Sequence, residues 1–402
     1  MQWSFASRLR CGSPCGDQAH GPNGSMGEWK ARISIRRHVR IASLVVLFLV
    51  SAAFQPLTDG SASARGVISD KAVHSRGHGV GLVRCTFVDR TRSTPNFDTT
   101  PPSVASASRT LVTEIRYPTD AHVGTAAAST AVAPVARVGG YPMIVFAHGY
   151  DVAPDIYAPL LDAWVRAGFV VAAPLFPDEQ PRVVAAQHGV NTEDDMWNEP
   201  ADLTFVTRQL LASSAAESPR CPIVRGLLRP SELALAGHSD GATVVGMLSF
   251  ARGRDPYGTS YQHLRAGLDF RATIILAGQQ DGVDPYVPLA PDPALLVVQS
   301  AADQCNPASK AITLYRSIHQ RQKWFLELRT AHHLPPFDGT DVPAFDVVAR
   351  TSIRFLRVAL EGASPSGLLG SANADPALAT MYQGPASPVD PPPVTVVSCG
   401  LT

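Results

Sequence analysis

The chain has 402 residues, and its 34 Lys and Arg balance 34 Asp and Glu, so the formal net charge is zero. This balance removes the electrostatic basis for a nucleic-acid-binding protein or a polybasic membrane-surface protein. Hydrophobic residues make up 45% and charged residues 17% of the chain, which excludes a disordered protein and provides enough apolar material for a large core.

The first 64 residues have the layout of an export signal. Residues 33–40 are cationic, residues 41–54 form an uninterrupted apolar run, and Ala62-Ser63-Ala64 follows as a small-residue motif. This order is typical of a secretory signal peptide, cleaved here after Ala64. The 14-residue run is shorter than the ~20 residues that a spanning helix needs. We therefore expect a secreted protein without a stable membrane span, and retention through 41–54 as an anchor is the alternative.

Six cysteines are present, and four of them follow the predicted signal: Cys85, Cys221, Cys305 and Cys399. Four cysteines in an exported chain predict two disulfides, with three possible pairings. We favour a bond between Cys305 and Cys399, which would tie the C-terminal tail to a loop of the predicted site. The absence of a C-x-x-C motif argues against a redox or zinc site.

Strands alternate with helices along most of the chain. Short apolar runs predict strands at 109–117, 142–147, 169–174, 232–237, 272–278, 294–300 and 324–329, and helical spacing predicts helices at 155–167, 200–212, 241–252, 307–321 and 342–361. This alternation predicts an α/β fold with a mainly parallel sheet and helices on both faces. We expect an irregular lead-in at 65–108, a catalytic domain at 109–361, and a Pro/Ala/Ser-rich tail at 362–402 that lies extended on the surface.

The sequence Gly237-His238-Ser239-Asp240-Gly241 lies between a predicted strand and a predicted helix. In that context a G-x-S-x-G motif indicates a strained turn that raises the serine above the end of the strand. The positive end of the following helix then favours a developing oxyanion. The motif therefore predicts Ser239 as a nucleophile.

A serine nucleophile needs a histidine base that a carboxylate orients, and in folds with this turn the chain order is serine, acid, histidine. Four histidines follow Ser239: His263, His319, His332 and His333. The last two come directly after the final predicted strand, where the base must lie, and we favour His333 over His332. For the acid we favour Asp303, after the strand at 294–300, over Asp281 and Asp284 after the preceding strand. Asp303 could also serve as a turn residue beside Asn306-Pro307.

An oxyanion hole needs two backbone N–H groups. One comes from Asp240, the residue after the nucleophile. The other is expected from the loop after the first buried parallel strand, which reads His148-Gly149-Tyr150. Gly149 permits a tight geometry there, and we predict the Tyr150 N–H as the second donor.

The chain resembles the α/β-hydrolase superfamily in seven segments: FVDRTRSTPN (87–96), RTLVTEIRYP (109–118), VFAHGY (145–150), NEPADLTFV (198–206), ALAGHSDGAT (234–243), SAADQCNP (300–307) and AHHLPPF (331–337). More narrowly it is similar to exported bacterial esterases near platelet-activating-factor acetylhydrolase, chlorophyllase, and the cutinase-like and dienelactone-hydrolase-like proteins. The resemblance implies an eight-stranded sheet and a serine esterase or lipase that acts on a small-molecule or lipid ester without a cofactor or metal. A non-catalytic binding protein and a peptidase of the same fold are the alternatives.

Overall fold

A computed structural model of the protein describes residues 77–100, 102–120, 132–186, 192–280, 286, 293–372, 375–392 and 395–396. The predicted signal peptide, with its cleavage site at Ala64 and the alternative anchor at 41–54, lies outside these ranges. Within them, no helix has both the length and the apolar character needed to cross a membrane.

In the part of the chain that the structure describes, a nine-stranded sheet forms the centre of the fold, with the strand order β1-β4-β6-β5-β7-β8-β9-β10-β11. The strands are β1 (Gly79–Asp89), β4 (Arg109–Thr119), β5 (Tyr141–Ala147), β6 (Val170–Leu175), β7 (Leu228–His238), β8 (Phe270–Leu276), β9 (Ala294–Ser300), β10 (Lys323–Leu328) and β11 (Ala379–Gln383). A separate hairpin pairs β2 (Thr94–Asn96) with β3 (Ser103–Ser106). The six strands from β6 to β10 in this order are mutually parallel. The predicted α/β fold with a mainly parallel sheet is therefore confirmed.

Helices cover both faces of this sheet. The helices are α1 (Ala158–Arg166), α2 (Pro181–Ala186), α3 (Glu199–Ala215), α4 (Asp240–Phe250), α5 (Tyr261–Arg265), α6 (Ala308–Ser317), α7 (Pro335–Asp338), α8 (Val342–Glu361) and α9 (Leu368–Ala372). Successive residues of each strand point to opposite faces, so Met143 and Val145 of β5 pack with α3, α4 and α6. Ile144 and Phe146 pack with α1, α8 and α9 on the other face.

The sheet is larger than the sequence predicted at both ends. Strand β1 lies within the expected irregular lead-in and pairs antiparallel with the whole of β4. Buried Cys85 and Phe87 alternate there with exposed Arg84 and Thr86, a period of two that indicates a strand. The tail is not wholly extended on the surface, because it contains α9 and also β11, which pairs antiparallel with β10. With these additions, the main sheet has nine strands within the described ranges, rather than the eight that the resemblance implied.

A disulfide joins Cys85 of β1 to Cys221, which lies between α3 and β7. Cys305 is also disulfide-bonded. Its partner is outside the described residues, so the pairing with Cys399 stays a prediction.

The carboxyl ends of the parallel strands meet at one edge of the sheet, where α/β folds bind their ligands. Strand β5 ends directly before His148, and β7 ends directly before Ser239. Asp303 follows the end of β9 and His333 follows the end of β10. The topology therefore gathers the four predicted loops at a single edge.

Candidate active site

Ser239 lies at a sharp turn between β7 and α4. Its backbone has φ 56° and ψ −121°, in a region that residues with a side chain rarely adopt. The turn requires glycine on both sides, because a Cβ on Gly237 would collide with the backbone of Gly241 and a Cβ on Gly241 with that of Ala147. The Ser239 N–H donates to the carbonyl of Leu276 at 3.0 Å, which holds the strained turn against the neighbouring strand.

Asp303 and His333 form a hydrogen-bonded pair across two loops. The Nδ1–H of His333 donates to Asp303 Oδ2 at 2.8 Å, and Asp303 is fully buried. The other oxygen, Oδ1, accepts the backbone N–H groups of Cys305 at 2.8 Å and Asn306 at 3.0 Å. Asp303 thus closes its own turn and also orients the histidine, roles that the sequence posed as alternatives.

His333 lies against the turn that carries Ser239. Its ring centroid is 4.6 Å from that of His238, the residue directly before the serine. Because Nδ1 of His333 donates to Asp303, Nε2 is the nitrogen left to accept a proton. This Nε2 is buried and has no hydrogen-bond partner among the residues that the structure describes.

The other candidates are placed differently. His332 is exposed in the same loop, His263 is exposed on α5, and His319 is exposed after α6. Asp281 and Asp284 lie outside the described residues. Of the predicted bases, His333 is the one that the structure pairs with Asp303.

The loop at His148-Gly149-Tyr150 runs directly beside the serine. A Cβ on Gly149 would lie 3.0 Å from that of Ser239, so glycine permits this close approach. His148 donates from Nδ1 to the Gly149 carbonyl at 2.8 Å, and the Phe176 N–H donates to its Nε2 at 3.0 Å. Since a trans peptide directs its N–H opposite to its C=O, the Tyr150 N–H points away from the His148 ring. The N–H of Asp240 belongs to the first turn of α4 beside the serine.

Burial lowers the pKa of His148 to about 4, so the imidazole is neutral at pH 7 and its two nitrogens keep distinct roles. The sequence pattern indicated no role for this histidine. Its position directly after β5 and before the glycine was the available signal.

Two further side chains that the sequence did not single out lie between these loops. Tyr157 ends a 3₁₀ turn at Pro154–Tyr157, and His238 is the variable residue of the G-x-S-x-G motif. Their side chains are 2.8 Å apart, between the Tyr157 hydroxyl and His238 Nδ1. Both residues are almost completely buried.

Buried carboxyl groups form a second feature that the sequence did not predict. Glu179 and Glu199 are fully buried. Burial and then the charge of Asp240 raise the pKa of Glu179 well above its usual value. Burial and then the charge of Glu179 raise the pKa of Glu199. Both buried carboxyl groups therefore hold a proton more strongly than exposed glutamates do.

A buried ion cluster explains several of the segments that carried the resemblance. Arg109 of β4 is fully buried and makes ion pairs with Asp195 at 2.9 Å and Asp202 at 2.6 Å. Arg92 pairs with Asp202 at 2.6 Å and with Asp89 at 2.8 Å. The cluster joins the flank of the sheet to α3 and to the 3₁₀ turn before it, rather than forming a charged surface.

Asp303, Cys305 and His333 offer ligand atoms within 4.8 Å of one another, a spacing that could hold a metal ion. The chemistry of this set does not fit a metal. The Cys305 sulfur is in a disulfide, so it provides no thiolate. His333 already donates from Nδ1 to Asp303.

A cavity of about 640 Å³ lies beside α3 and α5. Its walls include Arg92, Phe205, Tyr257 and His263, and none of the five predicted site residues lines it. Acidic and basic side chains are mixed in its walls, so its charge indicates no ligand.

No protein-family model matches the sequence, and no curated protein is significantly similar to it. Among solved structures, the chain is similar to a ferulic acid esterase from Streptomyces cinnamoneus, with 16% identity and a TM-score of 0.54 over 76% of this chain and 96% of that one. The chain thus has the α/β-hydrolase fold that the resemblance implied. Matches extend to 748 chains, and so common a fold does not determine the function by itself.

Proposed function

We propose that this protein is a serine hydrolase that cleaves carboxylic esters. Ser239 is the nucleophile, His333 the base and Asp303 the acid that orients the base. The N–H groups of Tyr150 and Asp240 form the oxyanion hole. The substrate is a small-molecule or lipid ester.

One observation carries this proposal: the 2.8 Å hydrogen bond between Asp303 and His333, next to a strained turn that holds a serine. A buried carboxylate that accepts from Nδ1 fixes the tautomer in which Nε2 can take a proton. A left-handed serine at the start of a helix has no evident structural value, and such strain is concentrated at functional sites. The fold adds support, because this turn is the place where α/β-hydrolases carry their nucleophile.

The reaction follows from these positions. Nε2 of His333 takes the proton of the Ser239 hydroxyl while the oxygen attacks the ester carbonyl. The carbonyl oxygen becomes an oxyanion and accepts hydrogen bonds from the two N–H groups. The C–O bond then breaks, His333 gives its proton to the leaving alcohol, and an acyl-enzyme remains. Water repeats the same steps and releases the acid. Each oxyanion donor contributes ~3–4 kcal/mol to the transition state.

We also propose that the protein is exported and cleaved after Ala64. The disulfide between Cys85 and Cys221 supports this proposal, because stable disulfides belong to oxidising compartments outside the cytosol. The anchored form that keeps 41–54 is the alternative.

Ester hydrolysis by the purified chain tests the catalytic proposal. The wild type should hydrolyse p-nitrophenyl esters of short acids, and Ser239→Ala should lower kcat by ~10⁴-fold or more, as loss of a nucleophile does. Graded acyl chains and a feruloyl ester belong in the panel, the latter because the protein of similar fold is named as a ferulic acid esterase.

Ser309→Ala is the matched control, since Ser309 is exposed on α6. A fluorophosphonate probe should label the wild type and this control but not Ser239→Ala. If folded wild type and Ser239→Ala are equally inert and unlabelled, the protein is a binding protein rather than an enzyme. Faster turnover of matched amides than of esters would assign it as a peptidase.

A further inference from the structure

A continuous run of hydrogen bonds links the three loops of the candidate site. The Gly149 N–H lies 3.2 Å from the Tyr157 hydroxyl, and this hydroxyl lies 2.8 Å from His238 Nδ1. His238 Nε2 lies 3.1 Å from the backbone carbonyl of His333. The run begins beside the Tyr150 N–H, passes the residue before Ser239, and ends on the backbone of the proposed base.

Chemistry fixes the direction of every bond in this run. A carbonyl can only accept, so His238 Nε2 carries the hydrogen and donates to His333. In a neutral imidazole Nδ1 is then the acceptor, and the Tyr157 hydroxyl donates to it. The Tyr157 oxygen keeps its lone pairs for the Gly149 N–H. One arrangement of hydrogens therefore satisfies all the groups.

The surroundings keep this arrangement in place. Burial and, second, the positive charge that His333 carries when protonated together lower the pKa of His238 well below its usual value, although the bond to the His333 carbonyl acts in the opposite direction. The rings of Tyr157, His333 and Phe337 pack around His238 with centroids 5.4, 4.6 and 4.9 Å away. His238 is thus held neutral and fixed in orientation.

We propose that Tyr157 and His238 are positioning residues for the ester hydrolysis proposed above. Tyr157 accepts the Gly149 N–H and so fixes the loop that carries the Tyr150 N–H, the proposed oxyanion donor. His238 donates to the backbone carbonyl of His333, the proposed base, and so fixes its position. Neither residue touches the reacting atoms. Because the bond from His238 goes to the backbone of His333 and not to its ring, Nδ1 of the base remains with Asp303. This inference depends on the proposed function.

Tyr157→Phe in the full chain tests the role, because it removes the hydroxyl and keeps the ring. The expected result is a fall in kcat of about 10- to 100-fold with KM changed by less than about twofold, since a misplacement of about 1 Å can cost on the order of 10²-fold in rate. Rates are expressed per active site, counted by complete fluorophosphonate labelling. The labelling rate should fall together with kcat.

Tyr315→Phe is the matched control. Its buried hydroxyl donates to the Gly384 carbonyl at 2.8 Å, between α6 and the end of β11, away from the site. Both variants should lower the melting temperature, and only Tyr157→Phe should lower kcat per active site. A purely structural role would give both variants the wild-type kcat.

A second measurement does not depend on the folding of a variant. Nitrogen-15 NMR of the histidine rings in the wild type should show His238 as the neutral Nε2–H tautomer from about pH 6 to 9. The Nδ1–H tautomer would overturn the inference. So would a Tyr157→Phe variant with wild-type kcat, and the proposed esterase function would then still stand. If the wild type is as inert as Ser239→Ala, the proposed function fails and this role fails with it.

Discussion

Single residues in this protein combine roles that a sequence presents as alternatives. Asp303 closes the turn after β9 through Oδ1 and holds His333 through Oδ2. Because the turn itself restrains the carboxylate, the pair with His333 costs less conformational entropy to form. A residue's local structural role is therefore no argument against a catalytic one here.

The buried carboxyl groups of Glu179 and Glu199 make the stability of the folded protein depend on pH. The folded state raises the pKa of Glu199 above its ordinary value of 4.5, so it keeps a proton that the unfolded chain loses. A raised carboxyl pKa contributes stability that is fully present below pH 4.5 and is lost as the pH rises through the folded pKa. Wild-type stability should therefore fall on the alkaline side.

Glu199→Gln should reduce this alkaline loss. Glutamine reproduces the neutral form of Glu199 at every pH and removes the like charge beside Glu179. Compared with the wild type, the free energy of unfolding should be higher at pH 9 and similar at pH 4.5. Urea unfolding followed by circular dichroism across this range measures it.

Glu217→Gln serves as the control, because Glu217 is exposed after α3. Its pH profile of stability should match that of the wild type. A Glu199→Gln variant that is less stable than the wild type at pH 9 would contradict the raised pKa of Glu199.

At the scale of elements, the tail protects the edge of the sheet. Strand β11 pairs with β10 along Trp324–Leu328, and an uncovered edge strand is a site of aggregation. The fully buried Leu368 of α9 packs in the same core as α8. A segment whose composition predicts an extended surface tail thus completes one layer of the fold.

A chain that ends at Gly362 should be destabilised by at least about 3 kcal/mol and should aggregate. It loses the buried side chains of Leu368 and Met381, each contributing ~1.5–3 kcal/mol, and it leaves β10 unpaired. Chemical denaturation and light scattering measure both effects.

A chain that ends at Pro392 is the matched control. It keeps α9 and β11 but lacks Cys399, as the shorter chain does. Because both chains lose the disulfide partner proposed for Cys305, the control should be less stable than the wild type but more stable than the shorter chain by at least about 3 kcal/mol. Equal losses in the two chains would attribute the effect to the residues after 392 rather than to β11.

At the scale of the whole molecule, the flank of the sheet is fixed by bonds between distant segments. The disulfide from Cys85 to Cys221 spans 136 residues, and closing so long a loop stabilises a fold by about 2–5 kcal/mol. The buried ion pairs of Arg109 tie the same flank to α3. These bonds hold the layers on which the loops of the site stand.

The proposed export predicts the N-terminus and the disulfide of the mature protein. The native protein recovered from outside its cell should begin at Arg65, and a non-reducing digest should contain the Cys85–Cys221 peptide. N-terminal sequencing and mass spectrometry measure the two features. A native N-terminus before residue 41, with the protein in the membrane fraction, would instead assign the anchored form.

The central strands from β4 to β10, most of the longer helices and the class of the fold could be predicted from the sequence, because buried strands and amphipathic helices are local patterns in the chain. The sequence also indicated the turn at Ser239, because the close approach of strand and helix there leaves no space for a Cβ at Gly237 or Gly241. It could not determine the pairing of β1 and β11, because a strand at a sheet edge depends on a distant partner.

The sequence favoured His333 over its neighbour His332, but the structure was needed to show which one meets Asp303, because adjacent residues in a loop direct their side chains differently. The tertiary structure alone revealed the run from Gly149 through Tyr157 and His238. Hydrogen bonds between loops depend on where distant strand ends meet, and no pattern along the chain encodes that meeting.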